Sequence, residues 1–190
     1  MENKSYVKTV AAVALKLLLV CAVVAGVISF VYTVTLDAYN ENLDREIRQS
    51  MATIFDASEE DVIELSTYEA DPDSNIQAIY NVKVNGESVG YCVNVTGSGF
   101  GGAINLMVGY HADKTIRGVS VVSHAETPGV GSKVNDATYL SQYEGLAGGL
   151  TISKRGDGDI TAISGATITS KAVHAAIEDA SAALALVPVA

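Results

Sequence analysis

A chain of 190 residues, 48 % hydrophobic and with a formal net charge of −10, is long enough for one domain of ordinary size and short for two. The acidity lies beyond the first apolar stretch: from Asp37 onward, nine Lys and Arg face 21 Asp and Glu, which argues against nucleic acid as a partner. Cys21 and Cys92 show no metal-site spacing.

The first element is LLLVCAVVAGVISFVYTV, Leu17 to Val34, eighteen residues without a charge. At about 1.5 Å of rise per residue it covers roughly the 30 Å of a bilayer core. A cleavable signal peptide has a shorter apolar region with a small-x-small site behind it, whereas this run leads into TLDAYNEN. A lipoprotein needs a small residue before the modified Cys, and Val20 precedes Cys21. A buried soluble helix of such length and uniform hydrophobicity is uncommon. Lys4, Lys8 and Lys16 precede the run and Asp37, Glu41 and Asp44 follow it, a bias that predicts a cytoplasmic N-terminus and an exported remainder.

Past the anchor, Leu36, Tyr39, Leu43, Ile47, Met51 and Ile54 recur at near-helical spacing until the acidic DASEEDV. The segments VIELST, IQAIYNVKV, SVGYCVNVT, AINLMVGYH and TIRGVSVVSH are then β-branched or alternating, with VNGES and HADKT as hairpin turns. These predict an antiparallel sheet. DATYLSQYEGL reads as helical, followed by a Gly-rich connection, the loop KRGDGD and a terminal helix, KAVHAAIEDASAALAL. The reading is an α+β fold: residues 1–16 inside, a single transmembrane helix over 17–35, a membrane-proximal helix and linker over 36–58, and a domain over 59–190 in which helices flank an antiparallel sheet.

Three motifs bear on function. GSGFGG, Gly97 to Gly102, satisfies G-x-G-x-x-G but runs into a strand-like segment, so a dinucleotide site is rejected. What remains is a glycine-rich bend between strands or close backbone approach to a flat ligand. SHAETPGVGSK, Ser123 to Lys133, is a turn with His124 and Glu126 beside it. The richest is SGATITS, Ser164 to Ser170, at the mouth of the terminal helix. One hydroxyl there suffices for an N-cap, which leaves the others unexplained. The free N–H groups of a helix start attract an anion, Lys171 adds a cation one turn on, and Gly165 and Ala166 keep the approach open. Metalloprotease, paired-cysteine zinc and G-x-S-x-G patterns do not occur.

SGAT followed by ITSKAV, with HAETPGVG and GFGGAI upstream, resembles the FMN-binding domain shared by the G subunit of Rnf ion-translocating oxidoreductases and the C subunit of the sodium-pumping NADH:quinone oxidoreductase. The compact length is closer to the first of these. The resemblance implies one covalent FMN per chain, joined by a phosphoester to Thr167, with Ser164, Gly165, Ala166, Thr169 and Lys171 around the phosphate. It implies that Glu126, Thr127, Pro128 and Gly129 line the ring or its ribityl chain. It also implies an electron-transfer subunit in the cell membrane. The expected partners are other integral membrane and iron-sulfur or flavin subunits of a ferredoxin/NAD-type complex, and a flavin transferase for maturation. One departure is that the family often has an Asp six residues before the acceptor, where this chain has Thr161, with Asp157 and Asp159 nearby. Two other readings stand beside this one: a membrane-tethered domain holding flavin or another phosphate ligand noncovalently, and an assembly subunit in which SGAT only caps a helix. A standalone flavinylated relay is a variant of the electron-transfer reading.

Overall fold

The computed structural model describes residues 2–58, 74–84 and 86–187. It divides into two compact units, Met1–Arg45 and Glu46–Ala190, each described by itself. The predicted strand VIELST lies outside the described residues.

The first unit belongs to α1 (Glu2–Phe55). Its stretch Ala12–Leu36 has a mean hydropathy of 2.6 and none of it is buried. The hydroxyls of Thr33 and Thr35 donate to the Phe30 and Val31 carbonyls, each at 2.8 Å. These two threonine hydroxyls are thus satisfied within the helix's own backbone.

The second unit begins inside α1, at Glu46, and Ile47, Met51 and Phe55 are buried in it. Its centre is a four-stranded antiparallel meander, β1 (Ile76–Val84), β2 (Glu87–Ser98), β3 (Ala103–Tyr110) and β4 (Ile116–His124), in sequence order. Alternation puts Val93, Val95, Leu106 and Val108 on one face, where they form one core with Val173, Ala176, Ile177, Ala180 and Leu184 of α3 (Thr167–Leu186). The helix comes close because β2 carries Gly97 there: a Cβ would stand 2.9 Å from the Ala172 carbonyl oxygen. The opposite face takes the last turns of α1. Here a Cβ at Gly109 would collide with Ile54, and Ser120 donates to the Ser50 hydroxyl at 3.3 Å. Arg117 of β4 closes the helix end. Its Nε donates to the Ile54 carbonyl at 2.9 Å, a terminal nitrogen donates to that of Phe55 at 3.3 Å, and the guanidinium lies 4.9 Å from the centre of the Phe55 ring. These bonds satisfy carbonyls that a helix end leaves orphaned.

The far end of α3 is held similarly. Lys114, in the left-handed region at φ 67° in the β3–β4 turn, donates from Nζ to the carbonyls of Leu184 and Val187, both at 3.1 Å.

The helix expected over DATYLSQYEGL is mostly replaced by tighter turns. A 3-10 turn over Gly131–Asn135 precedes α2 (Ala137–Leu140), and a second follows over Ser141–Tyr143. Gly145, at φ 75°, ends the segment. Its buried residues are few, so packing selects two anchors, Tyr139 and Tyr143, over a continuous helix. Under α3 the Tyr139 hydroxyl donates to the Ser170 carbonyl at 3.2 Å, and the Tyr143 hydroxyl lies 3.5 Å from His174 Nδ1. His174 Nε2 is 3.1 Å from the Leu150 carbonyl, which can only accept, so Nε2 donates. Desolvation by burial pushes the Tyr143 hydroxyl well above the ordinary tyrosine range.

Two short strands not anticipated in the sequence, β5 (Ile152–Ser153) and β6 (Ile160–Thr161), pair in parallel and hold the loop KRGDGD between them. Asp159 fastens this loop by accepting from the Thr151 N–H at 2.8 Å and the Thr151 hydroxyl at 2.7 Å. The backbone bond first, and then the hydroxyl bond, hold its carboxyl below the ordinary 3.8. A folded-state pKa lower than the unfolded one stabilises the loop fully above the unfolded value, and the contribution is lost as pH falls through the folded value. Carboxyl-carbon NMR is expected to show Asp159 titrating below a normal Asp, and Thr151→Val to raise that midpoint. An unmoved midpoint in the variant would refute the assignment.

Candidate functional site

The loops that follow β2, β4 and β5 meet at the start of α3. Ile163 to Ala166 form a tight turn, closed by the Ala166 N–H on the Ile163 carbonyl at 3.1 Å. Its third residue needs positive φ, which Gly165 supplies at 82°. The helix begins at Thr167 with Ala166 as N-cap, and no side chain caps it. The alternative in which SGAT only caps a helix therefore has no side-chain cap bond behind it. Ser170, one turn in, secures the turn instead: it accepts from the Ile163 N–H at 3.0 Å and donates to the Ala166 carbonyl at 2.9 Å. Thr169 donates to Glu126 Oε2 at 3.1 Å. The Thr167 hydroxyl makes no hydrogen bond among the described residues.

Glu126 organises the opposite wall. It is 6 % exposed, and Oε1 accepts from the Gly101 N–H at 3.0 Å while Oε2 serves Thr169. The glycines of two motifs follow from it: a Cβ at Gly99 or at Gly131 would collide with the Glu126 carboxylate, and one at Gly101 would collide with the Ala125 carbonyl. GSGFGG is thus the bend between β2 and β3, closed by the Gly99 N–H on the Gly102 carbonyl at 2.8 Å. His124 Nδ1 accepts from the Glu126 N–H at 3.2 Å, which marks Nδ1 as unprotonated in this arrangement.

Between these walls lies a cavity of about 480 Å³, within the range of small-molecule sites. Of the residues expected at the site, Glu126, Thr127, Gly165, Ala166, Thr167 and Thr169 line it. Ser164 and Lys171 lie outside it, as do Pro128 and Gly129, which form the tip of the turn where the Gly129 N–H donates to Ser132 at 2.8 Å. Phe100, Val130, Lys154 and Ile168 also line it and were not foreseen. For Phe100 the signal was there: one large aromatic amid glycines has no core to fill. Lys154 sits in KRGDGD, which only the β5–β6 pairing brings close.

The chemistry of the cavity is two-sided. The first backbone bond of α3 runs from the Ser170 N–H to the Ala166 carbonyl at 2.9 Å, so the amides of Thr167 to Thr169 lie in the unpaired first turn. With Lys154 they favour an anion. Phe100, Val130 and Ile168 supply apolar surface. A planar, largely apolar ligand bearing a phosphate fits this set, and an uncommitted hydroxyl stands within it.

The FMN-binding domain family matches residues 99–182, from the glycine loop through most of α3. The chain is 31 % identical over 182 residues to the G subunit of the ion-translocating oxidoreductase complex of Methanosarcina acetivorans, covering 92 % of this chain and 96 % of that protein. It is 42 % identical over 106 residues to the G subunit of the Na(+)-translocating ferredoxin:NAD(+) oxidoreductase complex of Acetobacterium woodii, where the match spans 52 % of this chain and 51 % of that protein. Among solved structures, the C subunit of the Na(+)-translocating NADH-quinone reductase of Parabacteroides distasonis shares the fold. The TM-score is 0.55 at 21 % identity, over 77 % of this chain and 92 % of that one. The near full-length match, together with a cavity built inside the matched domain, shows that this chain belongs to the G-subunit family of ion-translocating oxidoreductase complexes and contains its FMN-binding domain.

Proposed function

We propose that this chain carries one FMN, joined through its phosphate to Thr167 Oγ1, and serves as an electron-transfer subunit of a membrane-bound ion-translocating oxidoreductase complex. The observation that carries the attachment point is that Thr167 lines the cavity with its hydroxyl uncommitted, while Thr169 and Ser170 are held by Glu126 and the preceding turn. Bound flavin supplies one-electron redox chemistry. The chain's residues tether and orient it: Thr167 provides the ester oxygen, the first-turn amides and Lys154 balance the phosphate charge, and Glu126 holds the glycine loop against α3. Covalent attachment retains a small cofactor outside the cell without demanding high affinity.

In this reading the apolar helix is the membrane anchor, with residues 1–16 cytoplasmic, 17–35 crossing and the flavin domain exported, supported by an unburied apolar stretch over Ala12–Leu36. Its partners are integral membrane and iron-sulfur or flavin subunits of a complex of the ferredoxin/NAD type. An uncharged span offers no ion route, so ion movement belongs to those partners. A flavin transferase installs the ester from a flavin adenine dinucleotide: the pyrophosphate bond breaks, Thr167 Oγ1 loses its proton and bonds the FMN phosphorus, and AMP leaves. Asp159 is engaged with Thr151, and Asp157 accepts from the Ser153 hydroxyl. Both acids near the acceptor therefore brace the β5–β6 loop.

The test is expression with a flavin transferase, denaturation in SDS and inspection of the band for flavin fluorescence. A bright band is expected. A band that is dark, beside a labelled control flavoprotein from the same cells, would overturn covalent attachment; flavin released on denaturation would then point to noncovalent binding.

A further inference from the structure

Among the described residues of the second unit, four large apolar side chains stand in solvent: Phe100, Val130, Ile168 and Leu186. The first three line the one cavity described above, although they come from the β2–β3 bend, the turn after β4 and the first turn of α3. Single exposed apolar residues are normal, whereas three converging on one concavity mark a binding surface. Phe100 is 74 % exposed, yet the backbone that carries it is pinned. Ser98 pairs with Ala103 across the hairpin, the Gly99 N–H bonds Gly102, and the Gly101 N–H bonds buried Glu126. A fixed loop presenting an unburied aromatic ring at a cavity mouth offers that ring to a ligand.

Resting on the flavin reading above, we propose that Phe100 is the aromatic cover of the flavin ring, with Val130 and Ile168 forming the apolar wall beside it. Aromatic rings favour offset or edge-on contact with one another, and both leave the apolar faces of cofactor and phenyl out of water. Phe100 is a positioning and shielding residue, and it controls how much solvent reaches the ring.

The protein contains no Trp, which makes the test clean. Full-length chain is loaded by a flavin transferase in four forms: wild type, Phe100→Ala, Phe100→Trp and Leu186→Trp, the last at the other end of α3. An indole in contact with a flavin quenches its emission by electron transfer. Phe100→Trp is expected to shorten the flavin fluorescence lifetime sharply, and Leu186→Trp to leave it as in wild type. Phe100→Ala is expected to raise quenching by iodide toward that of the SDS-denatured chain. Circular dichroism melts confirm that each variant is folded. Loaded flavin with an unchanged lifetime in Phe100→Trp, or unchanged iodide access in Phe100→Ala, would overturn the cover. A wild type without flavin would overturn the function proposed above along with it.

Discussion

Thr167→Ala is expected to give a folded chain whose denatured band is dark beside a bright wild-type band. The loss should be complete because no other hydroxyl at the start of α3 can stand in, and Thr127, the remaining cavity hydroxyl, sits on the turn after β4, away from the first-turn amides. Thr169 donates to Glu126, Ser170 is bonded on both sides, and Ser164 lies outside the cavity. The stability change separates this reading from a purely structural role. A capping Thr replaced by Ala costs about 1 kcal/mol. Here Thr167 is the first helical residue and caps nothing, so exchanging a β-branched residue for Ala is expected to be neutral or to stabilise by about 0.5 kcal/mol. Flavin-free chain melted with and without the substitution measures the difference, and a clear loss of stability in the variant would return weight to the cap.

The second large effect belongs to Glu126. Glu126→Ala removes both acceptors at once, stranding the Gly101 N–H and the Thr169 hydroxyl in a space shaped around a carboxylate. Hydrogen bonds to charged groups contribute about 1.5–3 kcal/mol each, so a destabilisation of about 3 kcal/mol is expected in urea unfolding. Flavin loading should fall with it, since the glycine loop is no longer held to α3. Glu126→Gln keeps the shape and one acceptor oxygen, and the Thr169 hydroxyl can turn to accept from the new amide. About 1 kcal/mol is expected there, with loading largely kept. An Ala variant as stable as wild type would show that the loop is held by something else.

The four strands and α3 were legible because their pattern is local: β-branched alternation, turn residues at the right offsets and a long apolar-faced helix. Thr167, the proposed acceptor, and nearby Gly165 are singled out by a resemblance, and the structure adds that Gly165 is there for its backbone angle. What failed to show was non-local. Lys171 is next in sequence to the hydroxyl cluster, yet the cation lining the cavity is Lys154, brought there by two-residue strands too short to leave a pattern. Thr169 is expected at the phosphate, yet its hydroxyl is an internal fastening, as is that of Ser170. Glu126 was expected to line the cofactor, and it does line the cavity, but both its oxygens are spent on the chain itself. Composition cannot separate a residue that binds from one that holds the binder in place.

The seat of the last turns of α1 on the sheet sets a limit for anyone wanting the FMN-binding domain without the apolar stretch. Met51, Ile47 and Phe55 cover a face that is shaped to receive them, with glycine at 109 and Arg117 closing over the helix end. A water-soluble version therefore has to begin at or before Glu46. One trimmed to start after Phe55 would leave Met107 and the rest of that face bare, and should be recovered as aggregate rather than as a monodisperse protein on gel filtration.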